Sequence, residues 1–277
     1  MNIIDELSLI GIVPVVAIDD AKNAAPLADA LCNGGLPCAE VTFRTDAAED
    51  AIKIMTASHP DMIVGAGTVL TKEQADRATS AGAQFIVSPG LNPDVVNHCI
   101  SHGYPVVPGC ATPSDIECAL SLGIDTVKFF PAEAAGGIAM IKAMSAPYGK
   151  VRFMPTGGIN ASNLNDYLSF PKVFACGGSW MVKKELINKG EFDRITKLTE
   201  EAVSTMLSLR VKGITGDFTV PPLLSSILSF GDCKEIVIST KHPERAAFHL
   251  AGQGLRFDGS FVSTDPVSGF RIRLEKE

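Results

Sequence analysis

Short apolar runs recur along the first two thirds of the chain, and each is followed by a turn and a segment of helical character. Runs rich in Val and Ile that are bounded by polar residues are typical of parallel strands buried on both faces. Eight runs are present at a spacing of about 17 to 26 residues, which is the rhythm of a compact barrel. They cover residues 12–18, 38–43, 62–66, 84–88, 105–108, 125–129, 151–155 and 172–176.

This pattern predicts an α/β protein, with a (β/α)8 TIM barrel over residues 1–210 that is closed by an amphipathic helix at about residues 193–209. The alternation of apolar runs and helical segments ends after residue 210, where Gly213, Gly216 and Pro221-Pro222 interrupt the chain. A strand at 235–239, a helix at 243–253 and strands at 255–262 and 269–274 are expected to follow. Residues 211–277 are therefore predicted to form a small C-terminal α+β domain with the order β-α-β-β.

Composition narrows the class of protein. The 277 residues are 46% hydrophobic, which is enough for one large core and a small module. The net charge of -7 argues against a nucleic-acid or anionic-membrane partner. The seven cysteines are scattered without a C-x-x-C pair, so they are expected to be reduced thiols. With neither a basic leader nor a long apolar run, the sequence predicts a cytoplasmic protein.

Three charged residues near predicted strand ends are candidates for chemistry. Lys128 lies between Val127 and Phe129, where burial would favour a free amine, a nucleophile for ketones. The alternative is a lysine whose head reaches water. Glu40 lies inside the second run and needs a partner or a task, and the guanidinium of Arg44 suits a substrate carboxylate. The alternative is a structural ion pair between Glu40 and Arg44.

Small-residue turns follow the third, seventh and eighth runs. Such turns let backbone N–H groups converge on an anion, and the turns after strands seven and eight of a barrel often hold phosphate. The alternative is that they are only tight turns. The turns are Gly65-Ala66-Gly67-Thr68, Thr156-Gly157-Gly158 and Gly177-Gly178-Ser179. His98 and His102 have a metal-like spacing but no acidic or third histidine ligand accompanies them in sequence, so no metal is predicted.

Eight ordered motifs between about residues 3 and 207 resemble the family of KDPG/KHG aldolases, which act on 2-dehydro-3-deoxy-phosphogluconate and 4-hydroxy-2-oxoglutarate. The resemblance implies a class I aldolase on a (β/α)8 barrel, without metal or other cofactor and usually a homotrimer. The motifs are Ile12-Val13-Pro14-Val15-Val16, Glu40-Val41-Thr42-Phe43-Arg44-Thr45, Val64-Gly65-Ala66-Gly67-Thr68-Val69-Leu70, Phe85-Ile86-Val87-Ser88-Pro89-Gly90, Val107-Pro108-Gly109, Val127-Lys128-Phe129-Phe130-Pro131-Ala132-Glu133, Phe153-Met154-Pro155-Thr156-Gly157-Gly158-Ile159 and Gly177-Gly178-Ser179-Trp180.

The resemblance also implies roles for the residues at matching positions. Lys128 would be the Schiff-base lysine and Glu40 the general acid and base. Substrate-binding roles are implied for eight more residues. Arg44 and Thr68 would hold the pyruvyl carboxylate, Pro89 would line the keto-acid pocket, Thr156 would contact the substrate hydroxyls, and Gly157, Gly158, Gly178 and Ser179 would receive the phosphate.

The expected partner is a small phosphorylated keto acid, cleaved in carbohydrate metabolism of the Entner-Doudoroff type. Two alternatives within the same chemistry stay open, the 4-epimer 2-dehydro-3-deoxy-6-phosphogalactonate and unphosphorylated 4-hydroxy-2-oxoglutarate. A non-catalytic phosphosugar-binding barrel is the alternative from another class. The C-terminal residues weakly resemble half of a glyoxalase-like (vicinal-oxygen-chelate) module, without the histidine ligand of its first strand. An oligomerisation or lid-like structural role is expected for them, with ligand binding as the alternative.

Overall fold

The computed structural model describes residues 2–215, 235–265 and 271–277. Eight parallel strands carry the first part of the chain, and β1 to β3 are buried along their whole length. The strands are β1 (Ile12–Val16), β2 (Cys38–Thr42), β3 (Ile63–Gly67), β4 (Ile86–Val87), β5 (Val106–Val107), β6 (Thr126–Phe129), β7 (Arg152–Pro155) and β8 (Cys176–Gly178).

Helices alternate with these strands. Side-chain caps start several of them: the hydroxyl of Thr112 accepts the amide of Asp115, whose carboxylate in turn accepts the amide of Thr112, and Pro113 occupies the first turn. The helices are α1 (Ile3–Ile10), α2 (Ala24–Asn33), α3 (Ala48–Ser58), α4 (Lys72–Ser80), α5 (Pro93–Ser101), α6 (Pro113–Ser121), α7 (Gly137–Ser145), α8 (Leu164–Leu168), α9 (Lys184–Asn188) and α10 (Phe192–Leu207), with a 3-10 turn at Ala21–Asn23.

The strands form a curled parallel sheet in a TIM-like barrel. Six strands pair in the order β5-β4-β3-β2-β1-β8, and β6 pairs with β7. Backbone bridges join these two groups: Gly109 pairs with Lys128 between β5 and β6, and Thr156 pairs with Gly177 between β7 and β8. All carboxyl ends of the strands therefore meet at one face, which is where barrels of this kind carry their sites.

Two details of the barrel differ from the sequence prediction. The eighth strand was expected at residues 172–176 but runs from Cys176 to Gly178, while Val173 makes only an isolated bridge to Phe153. Glycine is suited to this strand because a Cβ on Gly177 would run into Thr156 and a Cβ on Gly178 would run into the Trp180 ring. The fourth and fifth strands are also shorter than expected, with two residues each.

The chain forms two compact units, Met1–Met206 and Leu207–Glu277. Within the second unit, β10 (Glu235–Thr240) pairs antiparallel with β9 (Arg210–Thr215) and parallel with β11 (Arg271–Lys276), and α11 (Pro243–Gly252) lies between β10 and β11 in sequence. The described order is thus β-β-α-β rather than the predicted β-α-β-β.

The predicted strand at 255–262 is not formed. Asp258 accepts the backbone amides of Ser260 and Val262 through its side chain, which makes a local turn where a strand was expected. Residues 269 and 270 of the last predicted strand, and Cys233, lie outside the described residues. The six described cysteines are free thiols, and within the described residues no helix is long and apolar enough to cross a membrane.

Candidate active site

A buried amine and a buried carboxylate meet at the carboxyl-terminal face of the barrel. Lys128 in β6 is 5% exposed, and Glu40 in β2 is fully buried. The Lys128 Nζ donates a hydrogen bond to Glu40 Oε1 at 3.0 Å. The lysine head therefore does not reach into water, and its charge is matched by the carboxylate of a strand that lies far away in sequence.

The Glu40–Arg44 ion pair, the structural alternative from the sequence, is not formed. The Glu40 carboxylate pairs with Lys128, while Arg44 lies beyond the end of β2 with an exposed side chain and has no acidic partner among the described residues. A planar guanidinium that is exposed at the mouth is available to an incoming carboxylate.

Gly67 makes room for the Glu40 carboxylate. Gly67 ends β3 and pairs in register with Thr42 of the neighbouring β2. A Cβ at position 67 would collide with Glu40 Oε1 and would lie 2.7 Å from its Cδ. The sequence indicated Gly67 only as part of a turn. The space that Gly67 leaves for the carboxylate results from the pairing of β2 with β3.

Two buried oxygens at this site have no hydrogen-bond partner among the described residues. They are Glu40 Oε2 and Thr156 Oγ1, the latter directly after β7 and packed against Gly177. Buried polar groups in native proteins are almost always satisfied, by protein or by a bound molecule. The unsatisfied Glu40 oxygen beside the buried amine, and the unsatisfied Thr156 hydroxyl directly after β7, thus indicate a place for a polar ligand.

Thr68 carries backbone strain next to this site. Its φ of 57° lies in the left-handed region, which is a genuine outlier for a β-branched residue. The surrounding strands hold it there, because Phe43 donates to the Gly67 carbonyl at 2.7 Å and Val69 donates to the Val87 carbonyl at 3.1 Å. Strain of this kind concentrates at functional sites and costs about 1–3 kcal/mol.

The remaining predicted residues lie around the same mouth. Pro89 is half-buried after β4, and its carbonyl packs against Gly109. Gly157 and Gly158 have φ of 98° and 83°, which favour glycine. Gly178 ends β8 and Ser179 follows it, exposed. Because Thr156 and Gly177 are bridged in parallel, the residues that follow them in the two strands emerge side by side.

Phe130 is a site residue that the sequence did not single out. Its ring centroid lies 5.4 Å from Lys128 Nζ, within the range of a cation–π contact, and the side chain is 36% exposed. The signal was present in the sequence, since Phe130 follows two residues after the lysine in the same motif. An apolar ring at the mouth screens the amine from water.

His98 has an acidic partner that the sequence did not reveal. Its Nε2 lies 2.7 Å from Asp76 Oδ1, and its ring centroid lies 4.2 Å from that of His102, with the two rings tilted by 37°. Among the described residues, no group of three metal-ligating side chains is present. This histidine pair is held by α4 and α5, away from Lys128.

A primary amine that is buried against a carboxylate, at the strand ends of a TIM-like barrel, is the apparatus of an enzyme that works through a Schiff base. The model of the KDPG and KHG aldolase family matches residues 3–198. The chain belongs to this family and is an aldolase, as the resemblance of its eight motifs implied.

Relatives in sequence and in structure agree with this assignment. A 2-dehydro-3-deoxy-phosphogluconate aldolase of Haemophilus influenzae is 51% identical over 202 residues, which are 73% of this chain and 95% of the relative. The KDPG aldolase of Legionella pneumophila, with pyruvate captured as a covalent carbinolamine intermediate, has a TM-score of 0.70 and 39% identity, covering 72% of this chain and 97% of that one.

A third relative is the 2-keto-3-deoxy-6-phosphogluconate aldolase of Zymomonas mobilis ZM4, whose structure contains 3-phosphoglycerate. Its TM-score is 0.69 at 42% identity, and the match covers 72% of this chain and 94% of that one. The family match includes the barrel strands and Lys128, and it ends before the second unit.

Proposed function

We propose that this aldolase cleaves 2-dehydro-3-deoxy-6-phosphogluconate to pyruvate and D-glyceraldehyde 3-phosphate, with Lys128 as the Schiff-base amine. The observation that carries the proposal is the buried contact of 3.0 Å between Lys128 Nζ and Glu40 Oε1. An amine and an acid–base group within hydrogen-bond reach are what covalent catalysis of this kind requires. The similar aldolases of Haemophilus influenzae and Zymomonas mobilis supply the substrate class.

The reaction can be written from these side chains. Lys128 first gives a proton to Glu40, and the resulting neutral amine attacks the C2 ketone. Glu40 returns that proton to the departing hydroxyl, so loss of water leaves an imine whose protonated nitrogen accepts the electrons of the C3–C4 bond. Glu40 takes the proton of the C4 hydroxyl as that bond breaks, and the aldehyde leaves. The resulting enamine takes this proton from Glu40 at C3, and water then hydrolyses the imine to release pyruvate and the lysine.

The keto-acid end of the substrate is assigned to the residues around β2, β3 and β4. Arg44 binds the pyruvyl carboxylate through its exposed guanidinium. Thr68 contributes its hydroxyl to the same carboxylate, and Pro89 forms an apolar wall nearby. Thr156, whose hydroxyl is buried without a partner among the described residues, binds the substrate's hydroxyl region.

The phosphate is assigned to the paired turns after β7 and β8. Gly157 and Gly158, with their positive φ, directly follow Thr156, and Gly178 and Ser179 directly follow Gly177, which is bridged in parallel to Thr156. Backbone amides at such turns are well suited to bind a phosphate dianion. The barrel mouth would then hold the substrate by its two charged ends.

Borohydride trapping tests the assignment of Lys128. With pyruvate and borohydride, the protein is expected to gain one reduced pyruvyl group, which peptide mass spectrometry locates on Lys128. Lys128→Met should lose the adduct. Lys142→Met is the matched control, because Lys142 is exposed and its Nζ lies 5.9 Å from the Phe170 ring. An adduct on another residue, or none in the wild type, would falsify the proposal.

Glu40→Gln tests the second assignment. The imine can still form in this variant, whereas transfer of the C4 proton fails, so we expect a stronger loss of turnover than of adduct formation. Measuring both in one preparation separates them. Wild-type turnover in Glu40→Gln would show that another group is the base.

Three other substrates or functions are separated by one coupled assay for pyruvate release. The assay compares the two phosphorylated C4 epimers with 4-hydroxy-2-oxoglutarate, whose aldolase activity is part of the family's description. Fastest release from the galactonate epimer would change the assigned substrate. A non-catalytic phosphosugar-binding barrel would release pyruvate from none of the three.

For the whole chain, we propose a (β/α)8 aldolase barrel in residues 1–210, a separate small α+β module in residues 211–277, a homotrimer and a cytoplasmic location. The module is assigned a structural or oligomerisation role. Deleting residues 213–277 tests that role: pyruvate release should persist, while the mass in solution falls by more than the deleted segment accounts for. Unchanged assembly contradicts the oligomerisation role.

A further inference from the structure

The Gly157–Gly158 turn rests on one side against Glu133, a residue of the loop between β6 and α7. The backbone N–H of Glu133 donates to the Gly157 carbonyl at 3.1 Å. Its side chain lies flat beneath Gly158, where an added Cβ would be 2.5 Å from Glu133 Cγ and 2.6 Å from Glu133 Cβ. Glycine at 158 thus satisfies both its φ of 83° and this close approach.

Tyr167 of α8 holds the carboxylate of Glu133. The Tyr167 hydroxyl donates to Glu133 Oε1, and the tyrosine is only 1% exposed although Glu133 itself is exposed. Burial is the main cause, and the hydrogen bond to Glu133 the second, of a pKa of Tyr167 that lies well above its usual range. The hydroxyl therefore stays protonated and remains a donor to the carboxylate at any physiological pH.

The opposite side of the turn is fixed by two amides. Asn160 Nδ2 and Asn163 Nδ2 each donate to the Gly158 carbonyl at 3.1 Å. The turn is thus fixed by contacts from two directions, one through Glu133 and one through the asparagines. Donors that are already oriented bind an anion without a further entropic cost for their own ordering.

We propose that Glu133 and Tyr167 are positioning residues that fix the Gly157–Gly158 turn, and so make this site prefer phosphorylated ligands over the same ligands without phosphate. The proposal rests on the phosphate assignment made above. Like charges repel, so a carboxylate beside a phosphate site must be held in one place. The Tyr167 hydroxyl holds it by keeping Oε1 on the α8 side of the turn.

Tyr167→Phe tests this role, because it removes only the hydroxyl. Calorimetry with 3-phosphoglycerate should show about tenfold weaker binding, the result of losing one hydrogen bond to a charged group near the site, while any binding of glycerate is unchanged. Tyr148→Phe is the matched control, since Tyr148 also donates to a glutamate, Glu117, at 3.0 Å. Tyr148 precedes β7, at the amino end of that strand, so Tyr148→Phe should bind 3-phosphoglycerate like the wild type.

Kinetics supply a second readout that a purely structural role would not give. In Tyr167→Phe, KM for the phosphorylated substrate should rise about tenfold with kcat within twofold, and KM for 4-hydroxy-2-oxoglutarate should stay the same. Glu133→Gln keeps an oxygen that accepts from Tyr167 and loses the charge that repels a phosphate, so it should bind 3-phosphoglycerate at least as tightly as the wild type. Equal losses with both substrates overturn the proposal.

Two further results are decisive. If Tyr167→Phe does not fold, Glu133→Ala removes the same contact from the exposed side and should bind 3-phosphoglycerate about tenfold more weakly than Glu133→Gln, which also lacks the charge but keeps the acceptor; equal binding by these two variants overturns the proposal. Wild-type protein that binds 3-phosphoglycerate no better than glycerate also overturns it. Calorimetry needs no turnover, so a missing borohydride adduct reports separately on the lysine assignment.

Discussion

Replacing Lys128 by Met keeps most of the side-chain volume and removes the ammonium that faces Glu40. The two charges are 3.0 Å apart, with exposed side-chain fractions of 6% for the lysine and 0% for the glutamate. At an effective dielectric constant of about 20, Coulomb attraction at that distance is about 5 kcal/mol. Desolvation of both groups offsets much of it, so the intact pair contributes little net stability.

The single variant is different, because the Glu40 carboxylate stays buried without its partner. Removal of one member of a buried pair costs about 3–5 kcal/mol, and Glu40 Oε2 already has no hydrogen-bond partner among the described residues. We therefore expect Lys128→Met to lower the free energy of unfolding of the barrel by about 3–5 kcal/mol. Adding Glu40→Leu removes the remaining charge and should restore most of that loss, although the double variant is inactive.

Urea unfolding at pH 7 measures this cycle. Trp180 is the only tryptophan of the chain and belongs to the barrel unit, so its fluorescence reports on the barrel's own unfolding. Lys142→Met serves as the control for loss of an exposed ammonium. The reasoning is refuted if Lys128→Met is within about 1 kcal/mol of the wild type, or if the two substitutions are additive, since residues in contact should couple.

Three shorter predictions follow from single contacts. Gly67→Ala should displace the Glu40 carboxylate and lower kcat about 100-fold. Gly90→Ala is the control and should leave steady-state kinetics unchanged, because nothing lies within 4 Å of its added Cβ. Equal effects of the two substitutions would show that Gly67 does not shape the site. Arg44→Lys loses the planar guanidinium and should raise KM about tenfold, with kcat within threefold. An unchanged KM would show that Arg44 does not bind the substrate carboxylate. Burial raises the pKa of the Cys110 thiol to about 12, so at pH 8 a maleimide should label it only after unfolding, as mass spectrometry would reveal; rapid labelling of the folded protein contradicts its burial.

The local sequence was sufficient to predict the recurrence of strands and helices in the barrel. Spacing and β-branched composition are properties of short segments, so all eight barrel strands were expected within a few residues of their observed positions. The predicted bounds of the eighth strand and the predicted strand at 255–262 were wrong for a shared reason. Strand pairing and side-chain turns, such as the one made by Asp258, override local strand propensity.

The sequence by itself determined the family and the candidates. Motif order from about residue 3 to 207 was enough for the resemblance that the match to residues 3–198 confirms, and a lysine within an apolar run marked Lys128. The family resemblance implied Glu40 as the acid and base that works with Lys128, whereas the residues alone left a structural Glu40–Arg44 ion pair open. Glu40 was available to Arg44, four residues away, and the closed barrel instead brings it to Lys128 across a separation of 88 residues.

Only the tertiary structure decided the contacts that shape the site. Gly67 lies beneath the Glu40 carboxylate because β2 and β3 pair in one register, and Glu133 meets Tyr167 because α8 packs beside the loop after β6. Neither contact leaves a period or a spacing in the chain. Side-chain partners depend on closure and register of the whole sheet, whereas the strands themselves depend on segments of a few residues.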